Sequence, residues 1–543
     1  MKGWNIYAEG ALRLTNNKTT QNKIPIYNYN VANEPMLRDS GYGTVTYVYD
    51  NRYKQNYYAV NVYTDYSHSF GKHNGKVLLG LNYERYNQDN MWASGTDLTT
   101  EDKPFLSQTQ SNKKNGDGYW NRATAGYFGR FNYDYDGKYL AEFNIRYDGS
   151  SRFLADKRWA WFPSVSLGWN IAREEFFEKL SETVNTLKLR GSWGQLGNTS
   201  SNYNSFWDWY PFYQQQAISS ASSNWLINGE KQNTSSLPSI VNAIMTWETV
   251  ETWDFGFDFG AFNNRLTGTF DWYSRTTKDM IGPAPILGSV LGTNAPKTNN
   301  CDMRTSGWEL EIGWRDQIND FKYGVRFNLS DNRSKILTYP YDGEFSNQSI
   351  GGYYNGKYLN EIWGYESVGL ASSKVEMDNW LTTNKPNWGS NWGAGDVMYK
   401  DLNGDGIVSS GANTLDDHGD LKRIGNATPR YRIGLNLDAA YKGFDFSIFF
   451  QGVLKRDWFF GAGDAYFWGA QGNMWQSACF EDHLDYWTEN NTGAYYPKPI
   501  LAVFRKISRH RRVICKVPPI SVARISSWGY TLPKSLLSPA GNQ

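Results

Sequence analysis

The sequence lacks any apolar run of the roughly 18 residues that a membrane-spanning helix needs, which excludes a helical membrane protein. It also lacks a strong net charge, because 55 basic and 54 acidic residues leave only +1 at pH 7. We therefore expect no nucleic-acid partner. The few cysteines, Cys301, Cys479 and Cys515, are odd in number and far apart, so they predict neither a disulfide framework nor a zinc site.

Signs of catalysis are missing as well. The five histidines fall singly, and there is no Ser/His/Asp grouping, phosphate-binding glycine loop or cysteine nucleophile. We predict that the protein is not an enzyme and requires no cofactor.

Aromatic residues are abundant, at 17% with 24 Trp and 38 Tyr, which is more than one core absorbs. Mean hydropathy is nevertheless low, at -0.64. A transmembrane barrel reconciles the two values, because only alternate residues face lipid while the lumen and the loops are polar.

Alternation of apolar and polar residues is the strongest pattern in the sequence. It recurs in about a dozen segments of about ten residues, for example at 130–135, 139–148, 308–315 and 432–439. Each such segment predicts a two-faced strand of the length that crosses a bilayer.

The links between these strands alternate between short and long along the chain. Short, turn-forming links are predicted at 136–138, 263–264, 316–320 and 442–443, and a short amphipathic helix at 173–186 decorates another. Long loops are predicted at about 87–125, 198–251, 276–306 and 332–429. In an antiparallel meander this places all turns at one rim and all loops at the other. The predicted fold is therefore an all-β, antiparallel transmembrane β-barrel with short periplasmic turns and long extracellular loops.

Several phrases also resemble one family, the SusC/RagA-like TonB-dependent outer-membrane transporters, over about residues 57–500. The phrases are YDGSSRF at 147–153, RWAWFPSVSLGW at 158–169, LKLRGSWG at 187–194, GDVMYKDLNGDG at 395–406 and FFQG at 449–452.

This resemblance implies the outer membrane of a Gram-negative bacterium and a barrel of 22 strands with an N-terminal plug. It implies the import of glycans or peptides, powered by the TonB complex, with a SusD-like surface lipoprotein as partner and outer-membrane lipid around the barrel. No plug or TonB box is visible, so residues 1–543 are expected to be part of the barrel domain of a longer protein.

Two site hypotheses follow from the loops. Residues Asp401, Asn403 and Asp405 have the D-x-N-x-D-G spacing of a calcium loop, although Ala412 stands where an EF-hand has its bidentate Glu. The alternative is an Asx-rich turn that satisfies its own backbone.

Loop aromatics are the candidate substrate contacts, because sugars stack their C–H faces on rings. They are Trp207, Trp209, Tyr210, Tyr213, Trp380, Trp388 and Trp392. The alternative for each is an interfacial or packing role. Charged residues on the polar strand faces are expected to form lumenal ion pairs, namely Arg146, Asp148, Arg190, Glu311 and Arg326.

A rival fold remains at this point: a secreted β-sandwich or propeller that binds or hydrolyses carbohydrate. Strand length separates the two, because soluble strands average about five to six residues.

Residues 505–527 lose the alternation and become basic, which a local reading-frame error would explain. We predict that an independently determined sequence of the same gene restores an alternating strand there. Confirmation of the basic stretch as printed would contradict this explanation.

Overall fold

A single antiparallel sheet of 14 strands dominates the computed structural model. Residues described are 3–24, 27–29, 32, 35–37, 45–100, 102–199, 209–214, 216, 218–219, 224, 226–235, 237–238, 240–284, 288, 290, 295–340, 349–460, 465–468, 480–499, 514–516 and 520–530. Because the described strands form one continuous sheet instead of two packed sheets or several separate blades, the rival hypothesis of a sandwich or propeller is wrong.

The strands follow one another in chain order, and each pairs antiparallel with the next. They are β1 Trp4–Lys23, β2 Tyr47–Phe70, β3 His73–Leu98, β4 Thr109–Tyr135, β5 Tyr139–Ser150, β6 Trp159–Asn170, β7 Val184–Asn198, β8 Glu248–Ala261, β9 Leu266–Gly282, β10 Thr298–Ile318, β11 Phe321–Thr338, β12 Arg430–Tyr441, β13 Phe444–Lys455 and β14 Ile520–Tyr530.

Tight links alternate with longer ones along the sheet, as predicted, except that link 171–183, on the turn side, has 13 residues and is the decorated turn that the sequence predicts. The tight links span 71–72, 136–138, 262–265, 319–320 and 442–443. The long ones span 24–46, 99–108, 151–158, 199–247, 283–297, 339–429 and 456–519. All tight turns therefore lie at one end of the strands and all long loops at the other.

The tight turns have the backbone geometry that the strand twist demands. At Asp136 and Gly137, φ is 54° and 65°, so both central residues are left-handed, as in the turns that best match twisted hairpins. The Asp134 carboxylate accepts the Gly137 amide at 2.6 Å, which secures the turn. Link 171–183 holds two 3-10 turns and a one-turn helix, Glu178–Ser181, where the sequence predicts a single helix over 173–186.

Strand lengths differ from the prediction. β3 and β4 have 26 and 27 residues, so most of the segment predicted as a loop at 87–125 is strand. At roughly 3.3 Å per residue such strands run well beyond a bilayer. Above the lipid both faces meet water, so the apolar alternation fades while the backbone ladder continues. The sequence pattern therefore marks only the membrane-crossing part of each strand.

Alternation divides the sheet into a polar face and an apolar face. On β3 the apolar face carries Val77, Leu79, Leu81 and Tyr83, all exposed. Glu142 and Arg146 of β5 lie on the polar face in register with Asn132 and Phe128 of β4. Large exposed apolar side chains along one face are what the lipid-facing wall of a barrel requires.

The loop between β11 and β12 contains a small folded unit of its own, which we term the loop module (residues 349–429). Its buried core includes Tyr365, Met377, Trp388, Val397 and Tyr399. Around this core lie helix Lys374–Trp380 and the strand pairs Glu361–Tyr365 with Leu421–Asn426, Ser367–Leu370 with Val397–Tyr399, and Lys385–Pro386 with Ile407–Val408.

Smaller elements complete the described loops. They are the strand pairs Tyr27–Tyr29 with Pro35–Leu37, Ile218–Ser219 with Thr234–Ser235, Leu226–Ile227 with Glu230–Lys231 and Asp457–Phe459 with Ile514–Lys516, the helix Ala465–Trp468, and the 3-10 turns Leu106–Gln108 and Glu481–Leu484. Within the described ranges, no helix is long and apolar enough to cross a membrane.

The last strand begins inside the segment that the sequence singles out at 505–527. Ile520–Tyr530 pairs with β13 from Val453 to Phe444, with one register shift. Most of residues 505–519 lie outside the description, so the reading-frame hypothesis stays a prediction.

We predict that Leu79→Arg destabilises the complete protein in lipid vesicles by roughly 2–4 kcal/mol, because it places a charge on the lipid face near mid-membrane. Leu79 is 59% exposed. The measurement is unfolding of the vesicle-inserted protein by denaturant.

The matched control is Leu140→Arg, because Leu140 lies on the polar face opposite Asp134. A small effect is expected there. Equal losses for the two variants would contradict the assignment of the faces.

Candidate functional site

Ion pairs run across the polar face and join neighbouring strands. Arg190 on β7 donates to both oxygens of Asp258 on β8, at 2.9 and 3.0 Å. It also lies 2.8 Å from an oxygen of Asp271 on β9. One guanidinium therefore connects three strands, and its planar fork suits such bidentate bonding.

Other predicted pairs form as well. Arg146 and Asp148 share two hydrogen bonds of 2.8 and 3.0 Å, and Arg326 lies 3.6 Å from Glu311. Since these side chains are partly exposed, each contact adds little stability alone. Together they make the polar face of the sheet a charged surface.

The most buried pair, Arg430 with Asp331, is not evident from the sequence. It joins the loop ends of β11 and β12, so it holds the two bases of the loop module together. Asp331 lies in an ordinary alternating strand, and Arg430 is 99 residues away in the chain, so no local pattern marks the contact.

One predicted loop aromatic folds back onto the polar face. Trp209 is 4% exposed and its ring stacks on Tyr86 of β3, with centroids 5.4 Å apart. The guanidinium of Arg122 on β4 lies 5.3 Å from the Tyr86 ring and 5.9 Å from the Trp209 ring. Such cation–π stacking pins the long 199–247 loop to the barrel wall. Tyr86 directly precedes the segment predicted as a loop at 87–125 and Arg122 lies within it, so sequence reasoning assigned neither a site role.

The neighbouring candidates have different surroundings. The Tyr210 hydroxyl accepts a hydrogen bond from the backbone N–H of Asn121 at 2.9 Å. Tyr213 is exposed and its ring lies 5.8 Å from that of Tyr210. Trp207 lies outside the described residues. Tyr213 therefore has the most accessible ring of the three that are described.

The three candidate tryptophans of the loop module, Trp380, Trp388 and Trp392, pack into it. Trp388 and Trp392 are buried in its core, with their rings edge-on to Tyr399 at 5.5 and 6.2 Å. The indole N–H of Trp380 donates to the Tyr399 carbonyl at 2.8 Å. These contacts favour the packing interpretation over substrate contact, most clearly for the two core residues.

The D-x-N-x-D-G loop is closed by its own backbone amides. Asp401 accepts the N–H groups of Gly404 and Gly406, both at 2.7 Å, one on each carboxylate oxygen. Burial opposes ionisation, but the Gly406 and Gly404 donors lower the pKa of Asp401 below its ordinary value. The ionised form thus stabilises the loop at neutral pH, and that contribution is lost only as the pH falls below the ordinary carboxyl range.

The other two residues of the motif are engaged in the same way. Asn403 accepts the Asp405 amide at 3.0 Å, and Asp405 accepts that of Ile407 at 2.7 Å. No group of three or more His, Cys, Asp or Glu side chains in the described part of the chain is arranged to hold a metal. Calcium prefers six to eight oxygens. The geometry fits an Asx-rich turn without an ion, and calcium binding stays a prediction.

Asp420, which the sequence does not single out, anchors this loop. It is fully buried, and its carboxylate accepts the amides of Leu402, Asn403 and Ser409 at 2.6, 3.2 and 2.7 Å. Asp420 lies 14 residues beyond Gly406, the last residue of the loop, so no local sequence motif marks it.

A sheet with a lipid-facing apolar side, an ion-paired polar side, tight turns at one rim and long loops at the other defines an outer-membrane transport barrel. The chain belongs to the TonB dependent receptor-like β-barrel family, whose model matches residues 3–497. Members of this family lie in the outer membrane and are transporters and receptors rather than enzymes, as the sequence predicts.

Similar curated proteins carry the same family name. TonB-dependent receptor P3 of Formosa agariphila is 29% identical over 500 residues, covering 89% of this chain and 46% of that protein. TonB-dependent receptor SusC of Bacteroides thetaiotaomicron is 28% identical over 426 residues, covering 75% of this chain and 38% of that protein. The chain spans less than half the length of these two relatives.

Solved structures share the fold. The RagAB peptide transporter matches with a TM-score of 0.74 at 22% identity, covering 99% of this chain and 55% of that one. The open-open state of the RagAB peptide importer gives a TM-score of 0.76 at 22% identity, over 99% and 54% of the respective chains. The family resemblance seen in the sequence is thereby confirmed.

We predict that Asp420→Asn loosens the loop module by roughly 2 kcal/mol, because buried amides lose a charged acceptor. Limited proteolysis of the complete protein should cut faster within 380–420 in this variant.

Asp405→Asn is the matched control. Asp405 is exposed, and its carboxylate accepts only one backbone amide, that of Ile407, besides the side-chain amide of Asn403. Equal cleavage rates for the two variants would contradict the anchoring role of Asp420.

Proposed function

We propose that this chain is the barrel portion of a TonB-dependent outer-membrane importer of oligosaccharides or other large nutrients, peptides included. The observation that carries the proposal is the charged inner face lying beneath a rim of long, partly folded loops. A receptor that only signals has no need of a charged, polar inner face, whereas an importer does.

Size supports the import of large solutes. Barrels of 16–18 strands already enclose an aqueous channel, and 22-stranded ones enclose a plugged lumen. The 14 strands here are therefore enough to form a large part of the wall of such a barrel. Small sugars and amino acids pass through porins, so a lumen of this size is suited to solutes of several units.

Loop chemistry favours sugars as substrates. Long loops at the outer rim carry rings beside amides and hydroxyls, which is the combination that recognises the flat C–H faces and the hydroxyls of sugars. Tyr213, exposed beside Tyr210, is the most available of the described candidates. Trp207, which lies outside the described residues, and Trp209 stay candidates by their position in the same loop.

Two partners belong to the proposal. A SusD-like lipoprotein would sit on the loop rim and deliver the substrate. The TonB complex would supply energy through parts of the complete protein that lie outside this chain. The proposal requires no cofactor, and calcium at Asp401, Asn403 and Asp405 is not part of it.

The test is deletion of the complete gene in its host, followed by uptake of fluorescent oligosaccharides and of fluorescent peptides of six or more units. We expect the deletion to abolish uptake of one such class and to leave uptake of monosaccharides and amino acids unchanged. Loss of TonB should have the same effect.

Restoring the intact gene is the control. Unchanged uptake of every large probe after deletion, or uptake that persists without TonB, would refute the importer proposal.

A further inference from the structure

A cleft of about 530 Å³ opens between the loop module and the segment 465–499. We term it the loop cleft. Its described lining includes Ser367, Val368 and Gly369 on the module side and Asp485, Gly493 and Tyr495 on the other. Its volume lies within the roughly 300–1,000 Å³ typical of small-molecule sites. None of the candidate aromatics predicted from the sequence lines it.

The module wall of the cleft is a β-bulge. Ser367 pairs with Tyr399 and Gly369 with Met398, so Val368 is an extra residue between two adjacent partners. A bulge leaves the extra residue out of the ladder and re-aims the chain beside it. Gly369 has a φ of 153° and open space where a side chain would stand. The bulge therefore places a residue without a side chain in the cleft wall, close to Ser367.

The opposite wall is a closed turn that presents one ring. The Asp485 carboxylate accepts the side-chain amide of Asn491 at 3.0 Å and the backbone amide of Tyr495 at 3.1 Å. The Asp485 carbonyl accepts the Tyr496 amide at 3.0 Å. These bonds fix Tyr495, which is 51% exposed and lies edge-on to Tyr496 at 4.9 Å.

Phe467 and Trp468 form a third side of the cleft, and His483 links their helix to this turn. The Phe480 amide donates to Nδ1 of His483 at 3.0 Å, so the neutral ring carries its proton on Nε2. Nε2 lies 3.1 Å from the carbonyls of Tyr466 and Phe467. Helix Ala465–Trp468 is thereby held against the turn, and Phe467 packs 5.7 Å from Tyr496. The walls are thus positioned by hydrogen bonds before any ligand arrives.

We propose that the loop cleft binds one or two pyranose units of a neutral oligosaccharide. The exposed face of Tyr495 stacks on the C–H face of a sugar ring, and the outer lone pairs of Asp485 with the Ser367 hydroxyl bond its hydroxyls. No Lys or Arg is among the described residues that line the cleft, which disfavours acidic sugars and phosphates. This inference rests on the proposed importer function and names its substrate class.

Two substitutions test the cleft while keeping the hydrogen bonds that position its walls, because Tyr495 is held through its backbone amide. Tyr495→Ala removes the ring. Gly493→Val fills the cleft, because a side chain at Gly493 meets no atom within 4 Å and its backbone is not left-handed. Glu489→Ala is the control, since Glu489 is exposed in the same segment but does not line the cleft.

The measurement is calorimetry on the complete transporter in detergent. The probes are linear hexasaccharides of α-1,4-glucose, β-1,4-glucose, β-1,3-glucose, β-1,4-xylose and β-1,4-mannose, together with a tryptic digest of casein. We expect one hexasaccharide to bind, and Tyr495→Ala and Gly493→Val each to weaken its binding about tenfold or more, as the loss of one stacked ring implies. Glu489→Ala should bind as the wild type does.

The other outcomes separate the two proposals. If a hexasaccharide binds with equal affinity in all variants, the loop cleft is not its site, and the importer proposal stands. If only the casein peptides bind, the sugar class is wrong and the importer proposal again stands. If no probe binds and gene deletion also leaves the uptake of all large probes unchanged, both proposals fail. If no probe binds but gene deletion abolishes uptake, only the loop cleft proposal is overturned.

Discussion

Backbone hydrogen bonding without water is the constraint on which this structure depends. In the hydrocarbon layer an unpaired N–H or C=O costs several kcal/mol, so a chain that crosses with strands must pair each one along its whole membrane depth. Here β2 pairs with β3 over 24 consecutive residues, from Tyr47 with Thr96 to Phe70 with His73, without a register shift. Since a slip of one residue would turn every side chain to the wrong face, register and alternation fix each other.

The two faces then take different tasks. The apolar face needs only to be hydrophobic, and Leu, Val, Tyr and Trp side chains form it. The polar face has charges that must be matched, and Arg190 meets this need by joining Asp258 and Asp271 across three strands. The loops lie outside the hydrogen-bonded ladder of the strands, so they are stabilised by small hydrophobic cores of their own. The loop module does this with Tyr365, Trp388 and Tyr399, and it is fastened below by Arg430 and Asp331.

The features that could be predicted from the sequence are those that local periodicity determines. Alternation at 139–148 and the turn at 136–138 predicted strand, face and direction, and the ion pair of Arg146 with Asp148 followed from the same pattern. Periodicity does not report where a strand ends once both faces meet water, so the extensions of β3 and β4 were missed. It also does not report tertiary packing. Trp209 against Tyr86, Asp420 beneath the 401–406 loop, and the burial of Trp388 all depend on contacts between distant residues.

The length of the strands has a consequence for where recognition takes place. A strand of 27 residues such as β4, tilted as barrel strands are, rises roughly 35 Å past the hydrocarbon core. The loops thus start from a stiff collar that stands clear of the lipid headgroups. The loops that these strands carry are therefore reached from open water, at a height where the lipid no longer limits their size or shape.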